Sequence, residues 1–335
     1  MRAGFCDNCI EGRGRRGCGL QGSRGAHGHA PAAPPAGGAA QSPAAQKPAR
    51  KRWLRALCIV LAVLLFLGLA LFGMQVGVWA GNAAADRAAA AAMERAAAYA
   101  DTDLSSVLSK EHLTDADYEL IYRCTGLTRA GVDRCLAQGE EGKDRILQVQ
   151  RSFCASYGVR HTQFGFFCVN DYLDRGIAVA TAFLENGDIL VTPSVRLSGL
   201  TMGHAGLVTD AEQGRVLQAI AYGWPSGIVS VREFTRRPAF MILSPRTDAE
   251  TKKAVAAYAA EELVGIPYDI TAGVLSDKNS CNSTQCAHII WYAYAQFGLD
   301  IDGDGGLVVT PHDLAISPQL EVVQVYGFDL DELWQ

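Results

Sequence analysis

Apolar residues run almost without interruption over one stretch of the chain, residues 56–80, in which only Gln75 is strongly polar. This stretch is longer than the ~20 residues that an α-helix needs to cross the hydrocarbon core of a bilayer. Trp53 and Trp79 lie near its two ends, where amphipathic indole rings are favoured. The pattern predicts one membrane-spanning helix over residues 53–80.

After this stretch, apolar residues recur at the spacing of α-helices. An alanine-rich run predicts a helical stalk, and Thr114 and Thr128 are suitable N-caps for two short helices that Gly126 separates. The predicted helices cover residues 83–99, 115–127, 128–139 and 143–157. Residues 81–179 are therefore predicted to form a helical stalk and subdomain.

From residue 180 the pattern changes to short runs of apolar, β-branched and aromatic residues between turn residues, which is typical of antiparallel strands. These runs cover residues 188–192, 204–209, 215–222, 239–244 and 321–328. Two amphipathic segments, 248–263 and 286–297, predict helices among them. The expected fold class is α+β, with one domain of an antiparallel sheet and helices over residues 180–335.

Charge is distributed unevenly along the chain. Residues 1–55 contain ten Lys or Arg and two acidic residues, whereas the whole chain has a net charge of -5. Because basic flanks of a membrane span stay in the cytoplasm, the segment 47–55 predicts a cytoplasmic N-terminus and an extracytoplasmic remainder. The exported part is acidic, which argues against a nucleic acid partner.

A cleaved signal peptide is the alternative interpretation of the apolar stretch, because Val78-Trp79-Ala80 ends in a small residue. The stretch is longer than the ~7–15 residues of a signal peptide core, and a long extension precedes it. We therefore favour an uncleaved signal anchor, so that the protein is a single-pass membrane protein.

The first 52 residues are rich in Gly, Ala, Pro and Arg and predict a disordered basic cytoplasmic tail. Potential zinc ligands lie within it, namely Cys6, Cys9, Cys18, His27 and His29. Their spacing matches no compact zinc motif, which favours reduced cytosolic cysteines.

Six cysteines follow the apolar stretch, at positions 124, 135, 154, 168, 281 and 286. An even number in an oxidising compartment is typical of disulfides, and Cys124–Cys135 and Cys154–Cys168 are possible pairs. A Cys281–Cys286 bridge is the structural alternative to a free thiol at position 286.

Cys286 lies where capping residues 282–284 give way to an apolar segment, so it is expected in the first turn of a helix. Unpaired N–H groups and the positive end of the helix dipole lower a thiol pKa there. His288 would project to another side of the helix. His204, flanked by Gly203 and Ala205 at the start of a predicted strand, is the favoured base.

Four motifs in order strengthen this interpretation: residues 186–190, 203–208, 265–269 and 286–294. In this order the chain resembles the permuted NlpC-type, papain-like superfamily, and within it the YiiX/YycO-like cysteine hydrolases. The resemblance covers roughly residues 180–325 and implies a circularly permuted papain-like domain with a sheet packed on the cysteine helix. It also implies that Cys286 is the nucleophile and His204 the general base.

The resemblance further places Gln218 where relatives have a residue that orients the imidazole. An amide oxygen can accept the Nδ1 proton, but it does not stabilise an imidazolium as a carboxylate would. Tyr268 matches a tyrosine near the cysteine, with a substrate or oxyanion role or a place in the core as alternatives, and Gln285 is a second oxyanion candidate. No cofactor or metal is expected, because the calcium-like turn 300–305 has Pro311 where an EF-hand has its bidentate Glu.

The favoured function is a membrane-anchored, extracytoplasmic cysteine peptidase or amidase that acts on cell-wall peptides. A non-catalytic binding module of the same fold is one alternative, and Gln218 favours it. A lipid acyltransferase or thioesterase-like enzyme that acts on ester substrates is another.

Overall fold

The computed structural model describes residues 49–331 and Trp334, and the predictions for the first 48 residues lie outside this range. Its first element is one long helix, α1 (Ala49–Ala97). The sequence predicted a span and a separate stalk, but Gly81 and Asn82 do not interrupt the helix. The alanines that follow these two residues have high helix propensity, so the helix continues through them. Residues 49–58 belong to a separate unit, and the fold below is that of the unit from Ile59 onward.

Four helices follow α1; three of them confirm the helices predicted over 115–127, 128–139 and 143–157, and the short helix before them was not predicted. Thr114 and Asp117 form a reciprocal capping box, and the Thr128 side chain accepts a bond from the Gly131 N–H. Gly126, with φ 69°, ends the first helix of this pair in the left-handed conformation. The helices are α2 (Leu104–Leu108), α3 (Asp115–Thr125), α4 (Arg129–Leu136) and α5 (Glu140–Phe153).

The strands of the described residues form two antiparallel sheets, so the α+β class with antiparallel sheets is confirmed. In chain order they are β1 (Val159–Phe164), β2 (Cys168–Leu173), β3 (Ile189–Thr192), β4 (Val195–Leu197), β5 (Leu200–Thr201), β6 (His204–Asp210), β7 (Arg215–Gln218), β8 (Gly227–Ser230), β9 (Phe240–Pro245) and β10 (Leu320–Tyr326). The small sheet has the order β1-β2-β4-β5, and the large sheet has the order β10-β9-β3-β6-β7-β8.

Four shorter or amphipathic helices accompany the large sheet. They are α6 (Arg232–Thr235), α7 (Ala249–Glu262), α8 (Cys286–Ala295) and α9 (Pro311–Ile316). The strand predicted over 215–222 ends earlier, at Gln218. A tight turn closed by an Ala221–Trp224 bridge follows, and Gly223 takes φ 82° there. This early end matters because it leaves His204 unpaired on the β7 side of β6, while Thr192 of β3 pairs with it on the other side.

Each face of the large sheet covers a separate hydrophobic core. One core joins the sheet to α3, α4 and α5, with Val208, Val216 and Phe234 among its buried residues. The other joins it to α7 and α8, with Ala205 and Leu207 from β6. Because side chains alternate along a strand, β6 contributes to both cores. The predicted subdomain 81–179 and the sheet thus share one core.

Candidate functional site

Cys286 is the first residue of α8, as the sequence indicated, but its cap is a different residue. The Gln285 side chain accepts a hydrogen bond from the Ala287 N–H at 2.9 Å, so Gln285 is the N-cap rather than a residue of 282–284. Ser283 instead donates to Asp269 at 3.3 Å. The thiol therefore sits at the helix N-terminus, where backbone N–H groups lack helical partners.

The thiol of Cys286 is buried, with 9% of the residue exposed. Burial raises its pKa to about 11, although the backbone N–H groups of Ala205, Ala287 and Cys286 itself act in the opposite direction. The sequence led us to expect a lowered pKa from the helix end. In this structure desolvation outweighs the helix end, so the thiol is protonated at neutral pH.

His204 and Gln218 are brought together at the beginning of β6 and the end of β7. The Nε2 of His204 lies 2.7 Å from the Oε1 of Gln218. The amide oxygen can only accept, so Nε2 carries the proton and Nδ1 keeps a free lone pair. The sequence argument had assigned the bond to Nδ1. Burial lowers the pKa of His204 to about 4, with the Gln218 bond opposing that effect, so the ring is neutral at pH 7.

His204 is the first residue of β6, and Cys286 is the first residue of α8. No direct hydrogen bond joins their side chains in the described structure. The His204 ring stacks on Phe234 at 5.3 Å and 7°, on the face of the first core. Helix α8 packs on the opposite face. The Ala205 amide, which acts on the thiol, links the two groups through the chain. The thiol therefore lies near the backbone that follows His204, but the two side chains do not form a preformed ion pair.

Tyr268 lies beside the thiol, and its backbone forms a parallel bridge with Thr284 just before α8. Burial raises the pKa of Tyr268, and the nearby Cys286 raises it further. The phenol therefore keeps its proton and remains a hydrogen-bond donor at neutral pH. Its ring meets Tyr222 edge-on at 5.4 Å, and the Tyr222 hydroxyl donates to Asp269 at 3.3 Å.

Both polar atoms of the Gln285 side-chain amide are already bonded within the protein, which leaves little of the amide free to bind an oxyanion. Its oxygen caps α8 and faces the Cys286 thiol at 3.5 Å, and its amide nitrogen donates to the Val309 carbonyl. The residue is buried. We therefore assign to Gln285 the role of a cap that fixes the backbone at Cys286.

Three residues around His204 were not anticipated from the sequence. Phe234 lies beneath its ring, and the charges of Arg237 and Glu233 act on its pKa, Arg237 lowering it and Glu233 raising it. Arg237 is fully buried and bonds to the Glu233 carboxylate at 2.9 Å. Only the pattern REFTRR, a dense group of charges before a buried strand, hinted at such an ion pair.

All cysteines of the described residues are free thiols, so neither the Cys281–Cys286 bridge nor the two other suggested pairs is formed. Burial raises the pKa of Cys281 to about 11. The two thiols that lie near each other are instead those of Cys124 and Cys154, where Cys154 donates to the Cys124 carbonyl at 3.5 Å.

The acidic turn 300–305 brings Asp302 and Asp304 close to Asp313. The ammonium group of Lys278 bonds to Asp302 at 2.5 Å and to the Gly306 carbonyl at 2.7 Å. Lys278 thus supplies the positive charge for this turn and ties the loop before α8 to it.

No family model matches this chain, and neither a curated protein nor a solved structure matches it.

Proposed function

We propose that residues 180–335 form a permuted NlpC-type papain-like domain of the YiiX/YycO-like branch, and that it is a cysteine hydrolase. The observation that carries this proposal is the 2.7 Å bond between His204 Nε2 and Gln218 Oε1, next to the strand that meets the Cys286 helix. It orients an imidazole whose Nδ1 is free, in the order along the chain that the resemblance implies.

In the proposed reaction, Nδ1 of His204 takes the thiol proton as the Cys286 sulfur attacks the carbonyl carbon of an amide or ester. The carbonyl electron pair moves to oxygen, and the Cys286 N–H and the Tyr268 hydroxyl donate to this oxyanion. Collapse expels the amine or alcohol, which takes the proton from the imidazolium. Water then cleaves the thioester, with His204 again as base, and restores the thiol.

The raised thiol pKa and the lowered imidazole pKa mean that the resting site is neutral. A proton transfer in this environment requires substrate or water to enter beside Tyr268 and to polarise the site. Exposed aromatic residues at the turn after β7, Tyr222 and Trp224, form a rim next to Tyr268 where a substrate can lie. The reaction is thus coupled to binding.

The proposed substrate is a cell-wall peptide. One helix of the described residues, α1, is long and apolar enough to span a membrane. With the basic residues before it in the cytoplasm, the span would place the domain outside and facing the wall. A protein so anchored reaches polymeric substrates beside the membrane without being released.

A non-catalytic binding module is the second candidate. The buried, protonated thiol and the absence of a Cys286–His204 hydrogen bond in the described structure favour it. A lipid acyltransferase or thioesterase-like enzyme is the third, and the exposed apolar residues discussed below favour it.

The test uses the full chain in lipid nanodiscs, incubated separately with muropeptides and with phospholipid esters, with mass spectrometry of the products. We expect peptide fragments from the wild type and none from Cys286→Ala, while the control Cys281→Ala keeps its activity. Release of fatty acid alone would identify the lipid enzyme. Absence of both products, with an unmodified Cys286 after treatment with chloroacetamide, would favour the binding module.

A further inference from the structure

Two adjacent turns of the small sheet carry exposed apolar side chains. Phe166 is 84% exposed at the β1–β2 turn, and Leu200 is 72% exposed beside the β4–β5 turn. Phe164, Leu197 and Met202 are exposed as well. The Ser198 N–H donates to the Phe167 carbonyl at 2.9 Å, which joins the turns. We call residues 163–167 and 197–202 the apolar tips.

No charged residue occurs in either of the two segments that form the apolar tips. A group of exposed large apolar side chains on adjacent turns is typical of contact with a partner or a membrane. The β4–β5 turn is a two-residue hairpin, because Ser198 and Gly199 both have the positive φ that such a turn requires.

The apolar tips lie directly against the predicted membrane span. At Gly77 the backbones approach so closely that an added Cβ would stand 2.3 Å from the Ser198 carbonyl oxygen. A Cβ at Gly199 would be equally close to the Gly77 carbonyl oxygen. Gly77 belongs to the apolar stretch, about 4–5 Å along the helix axis from its end at Ala80.

From this contact we infer that the apolar tips insert into the outer interface of the lipid bilayer beside α1, as a second membrane contact of the protein. This inference rests on the proposed membrane anchor and not on the catalytic chemistry. The bilayer is the occupant that the structure favours, because the surface is continuous with the chain's own span. The transfer of Phe, Leu and Met side chains from water to the acyl boundary is favourable in free energy.

The inserted tips would also fix the orientation of the site. Strand β5 continues through Met202 and Gly203 into His204, so the chain that enters the membrane interface leads within two residues to the proposed base. The domain would then hold its site close to the membrane surface instead of moving freely on α1.

The test measures tryptophan quenching in the full chain, reconstituted in phosphatidylcholine vesicles containing lipids brominated near the upper part of the acyl chain. Phe166→Trp and Leu200→Trp each add a probe at the tips. Phe297→Trp is the matched control, because Phe297 is also exposed but lies at the end of α8 away from Cys286. The signal of each probe is its emission minus that of the wild type.

We expect both tip probes to lose most of their added emission in brominated vesicles and to be shifted to shorter wavelengths, while the Phe297→Trp probe is unaffected. Insertion of the anchor is measured independently from the quenching of Trp79, whose emission is that of the wild type minus that of Trp79→Phe. If Trp79 is quenched and the tip probes are not, the inference is overturned and the anchor stands. Equal quenching of the Phe297→Trp probe would also overturn it, and an unquenched Trp79 would reject the anchor and the inference together.

Discussion

Two buried histidines of this protein, His204 and His288, differ in what their second ring nitrogen contacts. Nδ1 of His288 lies 2.8 Å from the Thr284 hydroxyl, and its Nε2 lies 2.8 Å from the Lys278 carbonyl. His204 has a single polar partner among the described residues, Gln218. Nδ1 of His204 has no protein partner among the described residues and is not one of their fully buried unpaired polar atoms, so it stays open to a reacting group.

The surroundings of the two residues follow the same division. His288 ties α8 to the loop before it, and Lys278 continues this link to the acidic turn at Asp302. His204 is held in position by Phe234 and by the Gln218 side chain, and its ring makes no hydrogen bond to the backbone among the described residues. The comparison indicates that one histidine is part of the scaffold and the other is available for chemistry, although their sequence contexts are similarly apolar.

Activity gives the largest expected difference between the two histidines. His204→Asn should lower kcat/KM by about 10²–10⁴, the usual contribution of a general base. His288→Asn should change kcat/KM by less than about tenfold but lower the apparent Tm, because each buried partner left alone costs about 1–3 kcal/mol. Kinetics with the substrate that yields products in the incubations described above, together with thermal melts in detergent, measure both. A loss of activity for His288→Asn equal to that of His204→Asn would contradict the division.

Acid stability should also separate the variants. Because the pKa of folded His204 is about 4 and that of an unfolded histidine is about 6.5, the unfolded chain binds more protons between these values. The stability from neutral His204 is complete above pH ~6.5 and is lost as the pH falls toward 4, by about 3 kcal/mol in total.

Burial also lowers the pKa of His288, so His288 contributes to the loss of stability in acid in the same direction. We therefore expect the apparent Tm of the wild type to fall between pH 7.5 and 4.5, and that of His204→Asn to fall less. An identical fall in both proteins would show that His204 is not buried in its neutral form.

Gln218 offers a finer test of how the imidazole is oriented. Gln218→Ala should lose about 1–3 kcal/mol of transition-state stabilisation, or roughly 5- to 150-fold in kcat/KM. Gln218→Glu keeps an acceptor and adds a negative charge, which raises the imidazole pKa and should move the acid limb of the pH profile to higher pH. Initial rates from pH 4 to 9 measure the shift. An unshifted profile would mean that Gln218 does not act on the reacting group.

Much of the fold could be predicted where local sequence signals agree with tertiary packing. The capping residues Thr114 and Thr128 begin the helices that they were expected to begin, and Cys286 begins α8. The pairing of β6 with β7 in antiparallel register also follows from two apolar runs joined by a short turn. These features depend on neighbours along the chain.

Other features depend on distant contacts that the sequence does not show. Strand β1 is almost entirely exposed and has no clear alternation of apolar residues, and its sheet was not anticipated. The Cys286 thiol lies at a helix end and is also buried, and only the packed structure shows that burial has the larger effect on its pKa. Likewise, the Gln285 cap depends on the Val309 carbonyl, 24 residues away.

That cap supplies the smallest of the expected effects. Gln285→Ala removes the bond to the Ala287 N–H and should destabilise the protein by about 1 kcal/mol, the usual cost of losing an N-cap. Ser283→Ala is the matched control, because Ser283 is a cap by sequence but bonds only to Asp269 among the described residues, and it should stay within about 0.5 kcal/mol. Apparent Tm values of both variants give the comparison. If Ser283→Ala costs more than Gln285→Ala, the helix begins where the sequence alone placed it, and the position of the Cys286 N–H in the proposed oxyanion site must change with it.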